Sequence, residues 1–327
     1  WYIFFVMKIL ITGCCGFIGF NFANFLAKSN KKVKIVGIDN LDNYYSVNLK
    51  KDRLKILSKY KNFNFFKFDL ENFELLNKIF KKNKFDYIFH LAAQAGVRYS
   101  IINPKKYIKS NVNGFFNIIE LSRHAKIKKF FYASSSSVYG DNKTFPLHEK
   151  KIINPKNVYA LTKKFNEELA EIFSNYYNMK FIGLRFFTVY GEWGRPDMMI
   201  LKYIEASIKK KIFYLYNYGN HTRDFTYIDD VVNIMNKMIH LKIKKNHEIF
   251  NICSNRPFKL VKVLNFLNSL TNMPRIKKIK IQKADVLKTH GSNKKIIKFL
   301  RFKKFTNLNK GLFNTFVWYS NYLKGKL

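Results

Sequence analysis

An α/β fold is what this sequence predicts: a doubly wound parallel sheet of Rossmann type, with a smaller mixed α/β lobe towards the C-terminus. Three observations carry it. Apolar runs of about five residues alternate with helical patterns, the sign of strands joined by crossover helices. The runs are rich in Ile, Val, Phe and Tyr and almost uncharged inside, as strands covered on both faces should be. The first run leads directly into a glycine-rich turn that opens a helix.

Taken in order, strands are predicted at residues 8–12, 33–38, 63–68, 87–91, 128–134 and 180–187, and helices at 17–29, 46–58, 71–81, about 104–125 and about 157–177. Six strands with helices between them fit a doubly wound sheet. After residue 187 the regularity breaks, although 223–240 reads again as strand, turn and helix. The expected division is therefore a dinucleotide-binding domain of 7–187 plus about 223–250, and a second lobe of about 188–222 plus 251–327. Residues 1–6 read as an upstream extension, with Met7 opening the first strand as the natural start.

Composition narrows the classes. A chain of 327 residues with 47% hydrophobic content can bury a large core, which excludes a disordered protein. No run of about 18 apolar residues occurs, so no membrane span or membrane partner is expected. The net charge of +39 would suit a nucleic-acid surface, but only nine of the 60 basic residues are Arg and the lysines are spread over the whole chain. Lys, Asn, Ile, Phe and Tyr share AT-rich codons, so the charge reads as a solvated lysine coat and no nucleic-acid partner is expected. Three cysteines form neither a disulfide framework nor a zinc-type spacing, pointing to a reducing, cytoplasmic compartment and to no metal.

Residues 12–19, TGCCGFIG, place Gly13, Gly16 and Gly19 at the strand-to-helix turn. Glycines there let the backbone approach a pyrophosphate, whose charge rests on the helix N-terminus. Asp39 closes the second strand, where a carboxylate accepts both ribose hydroxyls of an adenosine and repels the extra phosphate of NADP. Cys14 and Cys15 read as small hydrophobes that fit between the glycines. A cofactor lying over the loop is expected to shield both thiols from alkylation.

Two further stretches point to chemistry. Residues 130–140, FFYASSSSVYG, end the fifth strand with four serines at its C-terminal edge, where ligands bind in this sheet type. Tyr159 and Lys163, four apart, share one helix face. An ammonium near a phenol favours phenolate and makes Tyr159 a usable base. The alternative, a packed tyrosine and an exposed lysine, suits an isolated Y-x-x-x-K better than one behind a glycine loop and a serine cluster.

TGCCGFIG, GIDN, HLAAQAGVRYS, SSSSVYG, YALTK and RDFTYIDDV together resemble the extended short-chain dehydrogenase/reductase family over essentially all of residues 7–320. Residues 39–54, 94–100 and 186–198 resemble its UDP-glucuronate 4-epimerases in particular. The resemblance implies that Tyr159 removes the proton of the sugar 4-OH, that Ser135 hydrogen-bonds that oxygen, and that Lys163 holds the nicotinamide ribose. It implies hydride passage from C4 to a tightly held NAD and back to the other face of a 4-keto sugar. The cofactor set it implies is Gly13, Gly16, Phe17, Ile18, Gly19, Asp39, Asn40, Asp69, Leu70, Leu91, Ala92, Ala93, Asn111, Tyr159, Lys163 and Phe187, with helix capping an open alternative for Asn111. It also implies a homodimer packed through the helices near 104–125 and 157–177.

Family members that dehydrate or decarboxylate carry an acidic residue beside the active-site Ser or Thr. Here Ser136 and Ser137 stand in those places, which favours simple epimerisation. On this resemblance Ser135, Ser136, Ser137, Thr188 and Arg195 are candidates to hold a glucuronate carboxylate. Arg98 and Arg223 are expected as anion contacts, the latter for the diphosphate, and Asp285 for the ribose. For Arg98 and Arg195 a structural ion pair is the competing reading. Glu192 and the KAD of residues 283–285 depart from the family pattern. The rival functions are 4-epimerisation of UDP-glucose or UDP-N-acetylglucosamine, and a non-catalytic NAD-binding sensor on the same fold.

Overall fold

The computed structural model describes residues 6–282, 285–302 and 304–325. Its strands are β1 (Met7–Thr12), β2 (Val33–Asp39), β3 (Phe63–Lys67), β4 (Tyr87–His90), β5 (Lys129–Ser135), β6 (Phe181–Phe186), β7 (Thr188–Tyr190), β8 (Ile212–Tyr216), β9 (Thr222–Tyr227), β10 (His247–Ile252), β11 (Pro257–Lys259) and β12 (Arg275–Ile279). Seven of them form one sheet in the order β3-β2-β1-β4-β5-β6-β10, and every neighbouring pair in it is parallel. The order reverses between β1 and β4, so a crevice opens at the C-terminal ends of those two strands, where a doubly wound sheet takes its ligand.

Helices cover both faces because the strands are apolar on both. Ile9, Ile11, Ile35, Phe89, Phe131, Ile182 and Leu184 belong to one layer of the core, and Leu10, Val36, Ile38, Ile88, Phe130 and Tyr132 to the other. This alternation is the period-two consequence of strand geometry. Helices begin where polar caps permit: Ser46, Asn72 and Asn157 each accept a backbone N–H of the following turn through the side chain.

The structure departs from the sequence reading in three places. The seventh strand, β10, was not among the six predicted; it opens on the polar pair His247-Glu248, which hides the apolar run that follows. The helix expected over 104–125 is segmented into Pro104–Tyr107, a π-helical turn Ile108–Asn113, and Gly114–His124. The extra residue of the π turn rotates Asn111 into the interior, where it is fully buried. Finally, β9 does not enter the main sheet but lies between β11 and β7 in a three-stranded sheet, while the helix Ile228–Ile239 returns to pack on the helix Phe17–Ser29. A two-stranded pair, β12 with β8, completes the C-terminal part. No described helix is long and apolar enough to cross a membrane.

Candidate active site

The glycine loop is shaped by contacts that exclude side chains. Gly13 has φ +70°, and a Cβ on it would stand 2.7 Å from the Ala92 backbone. At Gly19 a Cβ would lie 2.1 Å from the Gly13 carbonyl oxygen, so this third glycine serves the packing of helix against strand rather than lining the crevice. Gly16 caps the helix Phe17–Ser29 with no side-chain hydrogen bond and no acidic residue in the first turn, which leaves backbone N–H groups for an anion. Asp39 accepts the Cys15 N–H at 2.9 Å and the Leu41 N–H at 2.8 Å, one on each oxygen, and retains a lone pair on each. Burial raises its pKa, opposed by the nearby Lys50 and Arg53.

Cys14 and Cys15 are both wholly buried. The expectation that cofactor would be what shields them is therefore corrected: the protein itself seals both thiols. Together with Asp39 they fall within 4.8 Å of one another, but burial pushes the Cys14 thiol well above its ordinary pKa, so it remains a thiol.

At the end of β5 the serines turn into a short 3-10 segment, with Ser135 Oγ accepting the Ser137 N–H at 3.1 Å. Tyr159 and Lys163 lie on the buried face of the helix Val158–Tyr177. Burial raises the Tyr159 pKa, while a hydrogen bond from Ser135 and the charge of Arg195 favour its phenolate. Lys163 Nζ donates to the Ala133 carbonyl at 2.8 Å, and burial lowers its pKa to about 7. Arg195 thus joins the Lys163 that spacing suggested as a cation on this side of the cleft. The lysine is too desolvated to carry a full charge near neutral pH.

Directly below, Glu167 and Arg185 form a buried bidentate pair at 2.7 and 2.8 Å, with side-chain exposures of 4% each. Ser134 and Tyr139 complete it by hydrogen-bonding Glu167 and Arg185 respectively. Sequence reasoning missed this pair; its only signal was Glu167 one turn beyond Lys163 on the same face.

A cleft of about 410 Å³ runs from the glycine loop to these groups. It is lined by every residue of the expected cofactor set except Gly19 and Asn111, and by Ser135, Ser136, Ser137, Thr188, Arg195, Arg223 and Asp285. Asn111 lies behind this lining, in the interior. It neither caps a helix nor faces the cleft, but clasps the Gln94 backbone N–H and C=O at 2.8 and 3.0 Å and donates to Thr162. An adjoining recess of about 580 Å³ contains Arg98 and shares Arg195, Arg223 and Asp285 with the cleft.

The three arginines are engaged internally. Arg195 makes a bidentate pair with Asp197 at 3.0 and 2.6 Å, and Tyr44 donates to the same carboxylate at 3.0 Å. Arg98 makes a bidentate pair with Asp285 at 3.0 and 2.7 Å and stacks over the Tyr216 ring. Arg223 donates to the carbonyls of Thr222, Val286 and Leu287. Glu192, one of the departures noted above, accepts hydrogen bonds from the Tyr227 hydroxyl. Residues 283 and 284, the start of the other departure, lie outside the described residues. Tyr44, Asp197, Gln94 and Arg53 were not anticipated. Arg53 is fully buried and donates to the carbonyls of Cys15, Trp193 and Gly194, tying the glycine loop to the segment that bears Thr188 and Arg195.

Comparison with known proteins agrees with this geometry. Protein CapI of Staphylococcus aureus is 42% identical over 97% of this chain and 100% of its own. UDP-glucuronate 4-epimerase of Thermodesulfobacterium geofontis is 36% identical over 94% of this chain and 95% of its own. Among solved structures, the UDP-glucuronic acid 4-epimerase of Bacillus cereus in complex with UDP-glucuronic acid and NAD superimposes with a TM-score of 0.90 at 29% identity, covering 97% of this chain and 100% of that one. The model of the NAD dependent epimerase/dehydratase family matches residues 9–253. With its glycine loop, its strand-end serines and its Tyr159–Lys163 face in one cleft, the chain belongs to the NAD dependent epimerase/dehydratase family.

Proposed function

We propose that the protein is an NAD-dependent UDP-glucuronate 4-epimerase, interconverting UDP-glucuronate and UDP-galacturonate. The observation that carries the reading is that Arg195, Thr188 and the Ser135–Ser137 hydroxyls line the same cleft as Tyr159. The C6 carboxylate, separated from the reacting C4 only by C5, then meets a guanidinium and several hydroxyls. The close relatives and structural neighbours named as UDP-glucuronate 4-epimerases support it.

The cradle fits NAD: Gly13 lets the loop pack directly against the Ala92 backbone, where a Cβ would push the two apart, and Asp39 keeps acceptor capacity for a diol. Bound NAD supplies the hydride acceptor for sugar C4. Tyr159 takes the proton of the 4-OH, and the Ser135 hydroxyl holds that oxygen in line with the phenol. Lys163, which donates to the Ala133 carbonyl at the cleft, would hold a ribose hydroxyl of the nicotinamide end. Ser136, Ser137, Thr188 and Arg195 hold the carboxylate, which matters because a 4-keto uronate is a β-keto acid and readily loses CO2. Arg223 and Asp285 serve the nucleotide end.

We assign two lobes, the main sheet with its helices for NAD and the C-terminal elements for the nucleotide sugar. We also assign a homodimer, supported by exposed Ile108, Phe116, Leu161, Phe165 and Ile172 on the two helical stretches 104–124 and 158–177. Three free, buried cysteines support a cytoplasmic setting. Incubation with UDP-glucuronate, UDP-glucose and UDP-N-acetylglucosamine followed by sugar analysis tests the function. UDP-galacturonate is the expected product, and conversion of a neutral sugar alone overturns the reading. Tyr159→Phe is expected to retain NAD while losing turnover by several orders of magnitude.

A further inference from the structure

His221 falls outside every motif used above. It sits just before β9, is 4% exposed, and lines the recess next to Arg98, Arg223 and Asp285. The Tyr216 backbone acts on the ring in the direction that favours its protonated form. Nε2 is buried and has no hydrogen-bond partner among the described residues. The Asp285 carboxylate lies 3.9 Å from Nε2 and is held on both oxygens by Arg98.

The surroundings explain why the ring is neutral and what would change it. Burial, Arg223 on β9 and Arg98 from the opposite wall all hold the imidazole below its ordinary pKa, and Asp285 opposes them only in part. An arriving diphosphate reverses the balance in two ways. Its negative charges compensate the two guanidiniums, and drawing Arg98 away from Asp285 leaves that carboxylate unpaired beside Nε2. We propose that His221 is a nucleotide-binding residue of this protein that takes up a proton as the diphosphate of the UDP-sugar binds, so that the buried, unpartnered Nε2 becomes a donor of the charged ring. This rests on the cleft being a UDP-sugar site.

Proton linkage tests it directly. NAD-loaded protein is titrated with UDP in a calorimeter at pH 7, in two buffers of different ionisation enthalpy, alongside His221→Gln. The wild type is expected to show buffer-dependent heats that report proton uptake, and its UDP affinity to fall with rising pH by up to about tenfold per unit. His221→Gln is expected to lose the uptake, to bind UDP about tenfold more weakly at pH 6, and to keep its NAD content. Buffer-independent heats in the wild type overturn the proposal whatever the variant does, and so does uptake that persists in His221→Gln. If UDP fails to bind the wild type at all, the reading of the cleft falls and this inference with it; binding without uptake removes this inference alone.

Discussion

Replacing Lys163 by methionine separates what this side chain does for the fold from what it does for the reaction. The lysine is 1% exposed, and burial holds its pKa at about 7 against the ordinary 10.5. That difference corresponds to about 5 kcal/mol disfavouring the charged form, since each pH unit is worth about 1.4 kcal/mol. Between about 7 and 10.5 the unfolded chain binds a proton that the folded chain lacks, so stability contributed at this site rises with pH across that window. Below about 7 the full cost is present. Methionine removes the cost but also strips the Ala133 carbonyl of its donor, a loss of about 1–3 kcal/mol. The expected result is a Lys163→Met protein about 3 kcal/mol more stable than wild type at pH 6.5, with the gap closing at about pH 9 and reversing by about pH 10, and with turnover abolished. Denaturant unfolding at a series of pH values measures it. A stability difference that stays constant from pH 6.5 to 10 would refute the claim that Lys163 is kept desolvated at the expense of the fold.

Gly19→Ala drives a Cβ into the Gly13 carbonyl, so the purified variant is expected to carry little bound NAD, as read by release and quantitation of the cofactor. Arg185→Met leaves the Glu167 carboxylate buried and unpaired, which should lower the unfolding free energy by about 3–5 kcal/mol, while Arg185→Met with Glu167→Leu recovers part of the loss. Native protein should resist iodoacetamide at Cys14 and Cys15 equally with and without NAD and react only on denaturation; labelling that depends on NAD would show that the loop opens.

Much of the site was readable because its chemistry is local in sequence. The glycine turn, Asp39 at the end of β2, the serines at the end of β5 and the i, i+4 pair Tyr159–Lys163 each sit at a strand end or on a helix face, and strand and helix periods alone fix where they point. The residues that escaped are those whose role depends on a partner far along the chain. Asn111 reaches Gln94 only through a π turn, Arg53 reaches Trp193 and Gly194 only across the fold, and Asp197 meets Tyr44 across 153 residues.

The sequence by itself determined the parallel sheet, the order of its first six strands along the chain and the chemical types gathered at their ends, because hydrophobic period and turn chemistry are properties of neighbouring residues. Only the tertiary structure decided the charge state and partner of each group. It made Lys163 a desolvated donor to Ala133, paired Arg195 with Asp197 and Arg98 with Asp285, and left His221 Nε2 without a hydrogen-bond partner among the described residues. Desolvation and ion pairing are set by what lies within a few ångströms in space, and no spacing along the chain records that.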